Sequence, residues 1–161
     1  MPKLYILCGP SGSGKSTWAK NFIDKHNEIW YVSRDDIRLD LLSEGEDYFS
    51  HEKEVFKTFV GILYTILSDG QDVIADATHL NMFSRCKLIQ AIDIRGHQDY
   101  KIVFVVFNVD ADTCVERNKS REGRRNVPEN IIRNMCRDFQ MPTFDEDERI
   151  IDIIEVGEVH A

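Results

Sequence analysis

Eight residues near the amino terminus, Gly9-Pro10-Ser11-Gly12-Ser13-Gly14-Lys15-Ser16, fit the pattern G-x-x-x-x-G-K-[ST]. The chemistry of such a stretch is phosphate binding. Glycines let backbone N–H groups turn inward with no Cβ in the way, and a helix opening at the end of the loop adds positive potential. Gly12, Ser13 and Gly14 are expected to cradle the phosphates, Lys15 to reach the β- and γ-phosphates, and Ser16 to place its hydroxyl on Mg²⁺. Thr17 is expected to help hold the α-phosphate. The pattern follows a short apolar run and precedes a helical stretch, the context it requires. The ligand class this predicts is a nucleoside triphosphate with Mg²⁺. Asn118-Lys119-Ser120-Arg121 has the outline of the guanine-reading N-K-x-D, but Arg stands where Asp is needed and the segment reads as helix. A GTPase is rejected on that ground, and ATP is expected, with loose base selectivity.

Two acids follow apolar runs. Ser33-Arg34-Asp35-Asp36-Ile37-Arg38 comes after Ile29-Trp30-Tyr31-Val32. A carboxylate at such a strand end can accept or align the proton of an acceptor hydroxyl facing the γ-phosphate. Asp35 and Arg38 are three apart, on one side of a helical turn, so together they suit a hydroxyl and a nearby phosphate of one acceptor. The plainer alternatives are an N-cap at Ser33, acids placed in a first helical turn, and an ordinary Asp35–Arg38 ion pair. Asp76 ends the run Val73-Ile74-Ala75 and is placed to hold a water on Mg²⁺ or to position an arginine. Thr78 is a candidate substrate contact. Asn81 reads better as a helix cap than as a ligand, and His79 as a loop histidine.

Arginines supply the third component. Arg117 and Arg121 are spaced i, i+4 near the end of a helical stretch, ahead of Glu122-Gly123-Arg124-Arg125-Asn126-Val127-Pro128. A segment like this can close over ATP as a lid, at about 118–127, with Gly123 as its hinge. Arg121 is the candidate clamp on the transferring phosphoryl and Arg117 the candidate to stack on the adenine. The alternative is a set of cations complementing a helix C-terminus, which accounts for one or two arginines and not for the cluster.

These residues need a scaffold that brings strand ends together. Strands are predicted at Leu4–Cys8, Ile29–Val32, Asp72–Ala75, Lys101–Phe107 and Ile150–Val156. Helical stretches are predicted at Lys15–His26, Asp35–Leu42, Tyr48–Ser68, Asn81–Arg95, Asp110–Lys119 and from Pro128 to about Phe139. Near-continuous apolar strands alternating with helices predict an α/β fold, a five-stranded parallel sheet flanked by helices. Ligands on such sheets bind beyond the strand carboxyl ends, where every motif above falls. A single domain over 1–161 is expected, because that length suits one core. Of the residues, 42% are apolar and 30% charged, which excludes a disordered tail. No run is long enough for a membrane span, and no signal peptide is read at the amino terminus.

The net charge is −8, from 20 basic and 28 acidic residues, which argues against wrapping long duplex tracts by charge. Residues 117–137 nevertheless hold seven Arg or Lys against Glu122 and Glu129. A small positive site in an acidic body suits a compact anion or the end of a polymer. Four scattered cysteines show no zinc spacing, and a reducing, cytoplasmic setting is expected.

Taken together, GPSGSGKSTWA at 9–19, SRDDIR at 33–38, DATHLN at 76–81, RNKSR at 117–121 and VP at 127–128 resemble the kinase module of phage-type polynucleotide 5'-hydroxyl kinases. The resemblance implies a P-loop kinase fold and transfer of the ATP γ-phosphoryl to the 5'-OH of DNA or RNA. It implies Lys15 and Ser16 on the ATP phosphates and Mg²⁺, Asp35 as general base, Arg38 on the acceptor's 3'-phosphodiester, and Arg121 on the donor phosphates. Asp76 matches an important acid of that family. Two differences stand out. Many members carry a fused phosphatase, which finds no room here, and the lid holds one extra residue between Arg121 and Val127. Two rival readings remain: a kinase for a nucleoside, sugar or antibiotic hydroxyl, and a nucleotide-binding switch or repair partner without turnover.

Overall fold

The computed structural model describes residues 1–96, 99–121, 123 and 126–157. Five parallel strands form one sheet: β1 (Lys3–Cys8), β2 (Ile29–Ser33), β3 (Asp72–Asp76), β4 (Lys101–Val106) and β5 (Ile150–Glu155). Their order across the sheet is β2-β3-β1-β4-β5. The helices are α1 (Lys15–Lys25), α2 (Arg34–Leu41), α3 (Glu52–Ser68), α4 (Met82–Ile94), α5 (Ala111–Lys119) and α6 (Glu129–Asp138), with a 3-10 turn at Phe144–Glu146. The α/β class and five-stranded parallel sheet expected from the sequence are present, and strand boundaries agree to within a residue.

Side-chain alternation along β1 builds a core on each face. Leu4, Ile6 and Cys8 face α3 and α4, packing with Phe59, Leu63, Leu88 and Phe104. Tyr5 and Leu7 face the other way, onto Ala19, Trp18 and Phe22 of α1. The strand is buried on both faces, which is why its residues read as one apolar run rather than as alternation. A third, smaller cluster of Val109, Cys114, Val115 and Ile132 joins α5 to α6. Each fully buried Leu, Ile or Phe contributes on the order of 1.5–3 kcal/mol.

Helix starts are set by short polar side chains. Ser33 Oγ accepts from Asp36 N to open α2, and Asp110 accepts from Thr113 N to open α5. Asn81 and Ser84 form a reciprocal capping box at α4, so Asn81 is the cap its position suggested. One expectation is corrected. Helical spacing read from Tyr48 onward begins only at Glu52. Ser50 instead bonds the Asp47 carbonyl through both its backbone N–H and its hydroxyl, closing a turn at 47–50. Such local bonds by serine compete with helix, and the strongly apolar face starts only at Val55. Tyr48 and Phe49 therefore lie on a turn, not on a helix.

Candidate active site

The phosphate loop leaves β1 and opens α1 at the C-terminal edge of the sheet. Gly12 has φ +83°, and a Cβ there would lie 2.4 Å from the Cys114 carbonyl oxygen. Only glycine fits, so α5 and the loop touch backbone to backbone. Gly14, at φ +97°, is the residue from which α1 starts. Gly9 N–H donates to the Thr78 carbonyl at 2.9 Å, tying the loop to the segment after β3. Lys15 is almost wholly buried, and its Nζ donates to the carbonyls of Gly9 (2.9 Å) and Pro10 (2.8 Å). Burial pulls its pKa below the usual lysine value, against the pull of Asp76. Ser13 Oγ is buried without a hydrogen-bond partner. An unpartnered hydroxyl in a cradle that admits no Cβ fits a bound phosphate.

Ser33 of β2 is in register with Asp76 of β3, so the two predicted acids leave neighbouring strand ends. Asp76 Oδ2 accepts from Ser16 Oγ at 3.1 Å and from the Tyr31 hydroxyl. Burial and the adjacent carboxylate push the Tyr31 hydroxyl well above the usual phenol range, so it stays protonated and a donor. The Ser16–Asp76 pair offers oxygen donors only, the ligand type a hard divalent cation takes, with phosphate oxygens and water completing its shell.

Asp35 stands across the cleft. Its Oδ1 accepts from Arg38 Nη1 at 3.1 Å and from the Tyr48 hydroxyl. Arg38 also donates from Nε and Nη2 to the two oxygens of Glu52, both at 2.8 Å. Burial works against the Arg38 charge, but the Glu52 bonds prevail and raise its pKa above the usual value. The same bonds hold the Glu52 carboxyl below its ordinary range. Burial, then the bond to Asp35, pushes the Tyr48 hydroxyl up to about 12. Arg34 lies 3.6 Å from Glu52, with its Nε buried and unpartnered. The local alternatives read from sequence, a Ser33 cap and an Asp35–Arg38 ion pair, are thus both formed, and the pair still lines the cleft.

That cleft has a volume of about 570 Å³. It brings together Gly12, Gly14, Lys15, Ser16 and Thr17 of the loop, Asp35 and Arg38 of α2, Asp76, and Arg117 and Arg121. Every predicted site residue except Ser13, which is buried in the loop, therefore lines one cavity. Arg117 Nη1 approaches Gly14, and Arg121 comes just past Ser120, the C-cap of α5. Gly123 has φ +60°. Arg124, Arg125 and Glu122 lie outside the described residues.

Several contributing residues were not read from sequence. Tyr31 had a signal: period-2 alternation puts it on the same face as Ser33. Tyr48, Phe49 and Glu52 had none, because nothing local reveals that a turn after α2 folds back onto it. Asn118 is buried, donates from Nδ2 to Asn126 Oδ1 (3.0 Å) and the Val127 carbonyl (2.6 Å), and accepts from Val127 N–H (3.0 Å). His79 lies on the loop after β3, as its sequence position suggests, and is buried there. Its Nδ1 lies 2.7 Å from the Leu7 carbonyl, so that nitrogen carries the hydrogen, and burial lowers its pKa to about 4.

A parallel 2-3-1-4-5 sheet, a phosphate loop after the first strand and acids after the next two define a P-loop kinase fold. The chain belongs to the AAA domain family, whose model matches residues 4–142. It is 26% identical over 155 residues to a protein of Autographa californica nuclear polyhedrosis virus named "Putative bifunctional polynucleotide kinase/RNA ligase", covering 85% of this chain and 21% of that protein. A solved chain in the Pnkp1/Rnl/Hen1 RNA repair complex matches 85% of this chain and 43% of its own length, at 28% identity and a TM-score of 0.73. A sugar kinase from Janibacter sp. HTCC2649 superposes over 96% of this chain and 86% of its own, at 16% identity and a TM-score of 0.67, a likeness of fold alone. The chain thus spans about a fifth of the viral relative and less than half of the repair-complex chain. No helix among the described residues is long and apolar enough to cross a membrane.

Proposed function

We propose that the chain is an ATP-dependent polynucleotide 5'-hydroxyl kinase, transferring the γ-phosphoryl of ATP to a 5'-OH end of DNA or RNA. The observation that carries this is the placement of Asp35 and Arg38 in the same cleft as Lys15 and the phosphate loop. The names of the viral relative and of the repair complex support it. In this reading the loop N–H groups and Lys15 hold the triphosphate. The acceptor's 5'-oxygen attacks the γ-phosphorus, the bond to the β,γ-bridging oxygen breaks, and ADP leaves. The hydroxyl proton passes to the Asp35 carboxylate. Arg38 binds the acceptor's 3'-phosphodiester. Ser16 and Asp76 would hold Mg²⁺, which supplies charge neutralisation at the phosphoryl oxygens when bound. Arg121 grips the donor phosphates and Arg117 covers the adenine, on a lid of about 118–127 within a single domain.

One observation favours a second reading, a kinase for a small neutral hydroxyl such as a nucleoside, sugar or antibiotic. Arg38 is already held by both oxygens of Glu52, so an acceptor phosphate must share or displace that carboxylate. The two readings separate in one assay: γ-labelled ATP with a 5'-OH oligonucleotide, its 5'-phosphorylated control, and a panel of sugars and nucleosides. The expected result is label on the 5'-OH oligonucleotide and none on the control. Label only on small alcohols would overturn the polynucleotide assignment.

A further inference from the structure

Phe49 takes no part in packing the apolar core. It belongs to none of the three apolar clusters, and half of its surface is exposed. Among the described residues, exposed large apolar side chains also include Trp30, Phe83 and Phe144, but Phe49 alone of that set lines the cleft. Its ring stands edge-on to Tyr48, with centroids 4.7 Å apart and planes at 90°. The Tyr48 hydroxyl bonds Asp35, and the Arg38 guanidinium lies 4.9 Å from the Tyr48 ring centre and 5.6 Å from that of Phe49. An exposed aromatic surface is therefore fixed one tyrosine ring away from the carboxylate and beside the guanidinium. The turn at 47–50 holds it there through two bonds from Ser50 to the Asp47 carbonyl.

We propose that Phe49 is a stacking platform for the nucleobase of the acceptor's terminal nucleotide. This rests on the polynucleotide reading above and deepens it. A nucleotide with its 5'-oxygen at Asp35 and its 3'-phosphate at Arg38 must send its base out to one side of the ribose. The Phe49 ring centre lies 5.6 Å from the Arg38 guanidinium and reaches Asp35 through the Tyr48 ring between them. Aromatic side chains bind bases through their π-faces with little sequence preference, which suits an enzyme acting on ends of any sequence. The platform also supplies selectivity that Asp35 and Arg38 lack: a sugar phosphate meets those two residues equally well but brings no base. Phe49 itself touches no reacting atom, so it acts in acceptor binding and selection.

The test compares a nucleoside 3'-monophosphate with the abasic deoxyribose 3'-phosphate as acceptors, for the wild type, Phe49→Ala and Phe49→Trp. The expected result is that Phe49→Ala raises KM for the nucleotide about tenfold or more, so that its advantage in kcat/KM over the abasic acceptor collapses. Phe49→Trp, which restores an aromatic face, recovers that advantage. Equal losses on both acceptors in Phe49→Ala would make the residue a support for Tyr48 and overturn the proposal while leaving the kinase reading standing. Unaltered discrimination in Phe49→Ala would overturn it in the same way. Failure of the wild type to phosphorylate any nucleotide acceptor, with turnover on sugars intact, would overturn both.

Discussion

Lys15 keeps its ammonium out of water, capped by two loop carbonyls, and in the proposed reaction phosphate oxygens replace them. On that reading the charge is positioned before the substrate arrives, which reduces the reorganisation needed at the moment of transfer. His79 shows the opposite use of burial. Its ordinary value is 6.5 and burial lowers it to about 4, so the folded chain holds it neutral where the unfolded chain protonates it. A group with a depressed folded value that must lose charge on folding leaves stability intact above about pH 6.5. Stability then drains as pH falls toward about 4, by roughly 3 kcal/mol in all. His79→Asn removes this titration, and asparagine tolerates the residue's φ of +42°. Urea midpoints measured from pH 7 to pH 4 should fall more steeply for the wild type than for His79→Asn. Parallel curves would show that His79 does not carry the acid sensitivity.

The elements around the cleft differ in how firmly they are held. Helix α5 meets the phosphate loop at Gly12, and its Asn118 pins Asn126 and Val127, the far end of the proposed lid, by three hydrogen bonds. Asn118→Ala leaves those partners unpaired, at a cost of about 1–3 kcal/mol. We expect KM for ATP to rise about tenfold if that cost falls on lid closure, with a smaller effect on kcat at saturating ATP. A lower melting temperature with unchanged KM would mean that Asn118 only stabilises the fold. Element type was readable from sequence wherever period and caps agreed. β1 was an apolar run ending at glycine, and α4 began at an asparagine cap. The loop chemistry was readable because all its parts are consecutive. The wall made by Tyr48, Phe49 and Glu52 was not, because it depends on a turn folding back across α2.

Across the whole molecule, the site depends on a clamp far along the chain. Arg85 is fully buried and pairs with both oxygens of Glu146, at 2.8 and 3.1 Å, while its Nη1 donates to the carbonyls of His79 and Gln140. The next carbonyl back, that of Thr78, receives Gly9 N–H of the phosphate loop. The C-terminal segment therefore braces the loop through α4. Glu146→Gln leaves Arg85 buried and without its counter-charge, and a broken buried pair costs about 3–5 kcal/mol. Urea denaturation should show a loss of that size together with weaker ATP binding, whereas a neutral result would remove the clamp from the account. No sequence pattern pairs residues 85 and 146; the sheet order brings them together. The same order sets β2 beside β3, so that a carboxylate faces the phosphate loop across one cleft, and the proposed chemistry rests on that carboxylate. The most direct measurement is transfer of labelled γ-phosphoryl to a 5'-OH oligonucleotide by Asp35→Asn, with ATP affinity determined on the same sample. Asparagine keeps the shape and the hydrogen-bond acceptor but takes no proton. The expected result is a turnover loss of about a hundredfold to ten-thousandfold with ATP binding retained. Turnover near the wild-type rate, or loss of ATP binding along with it, would contradict the assignment of Asp35 as the base.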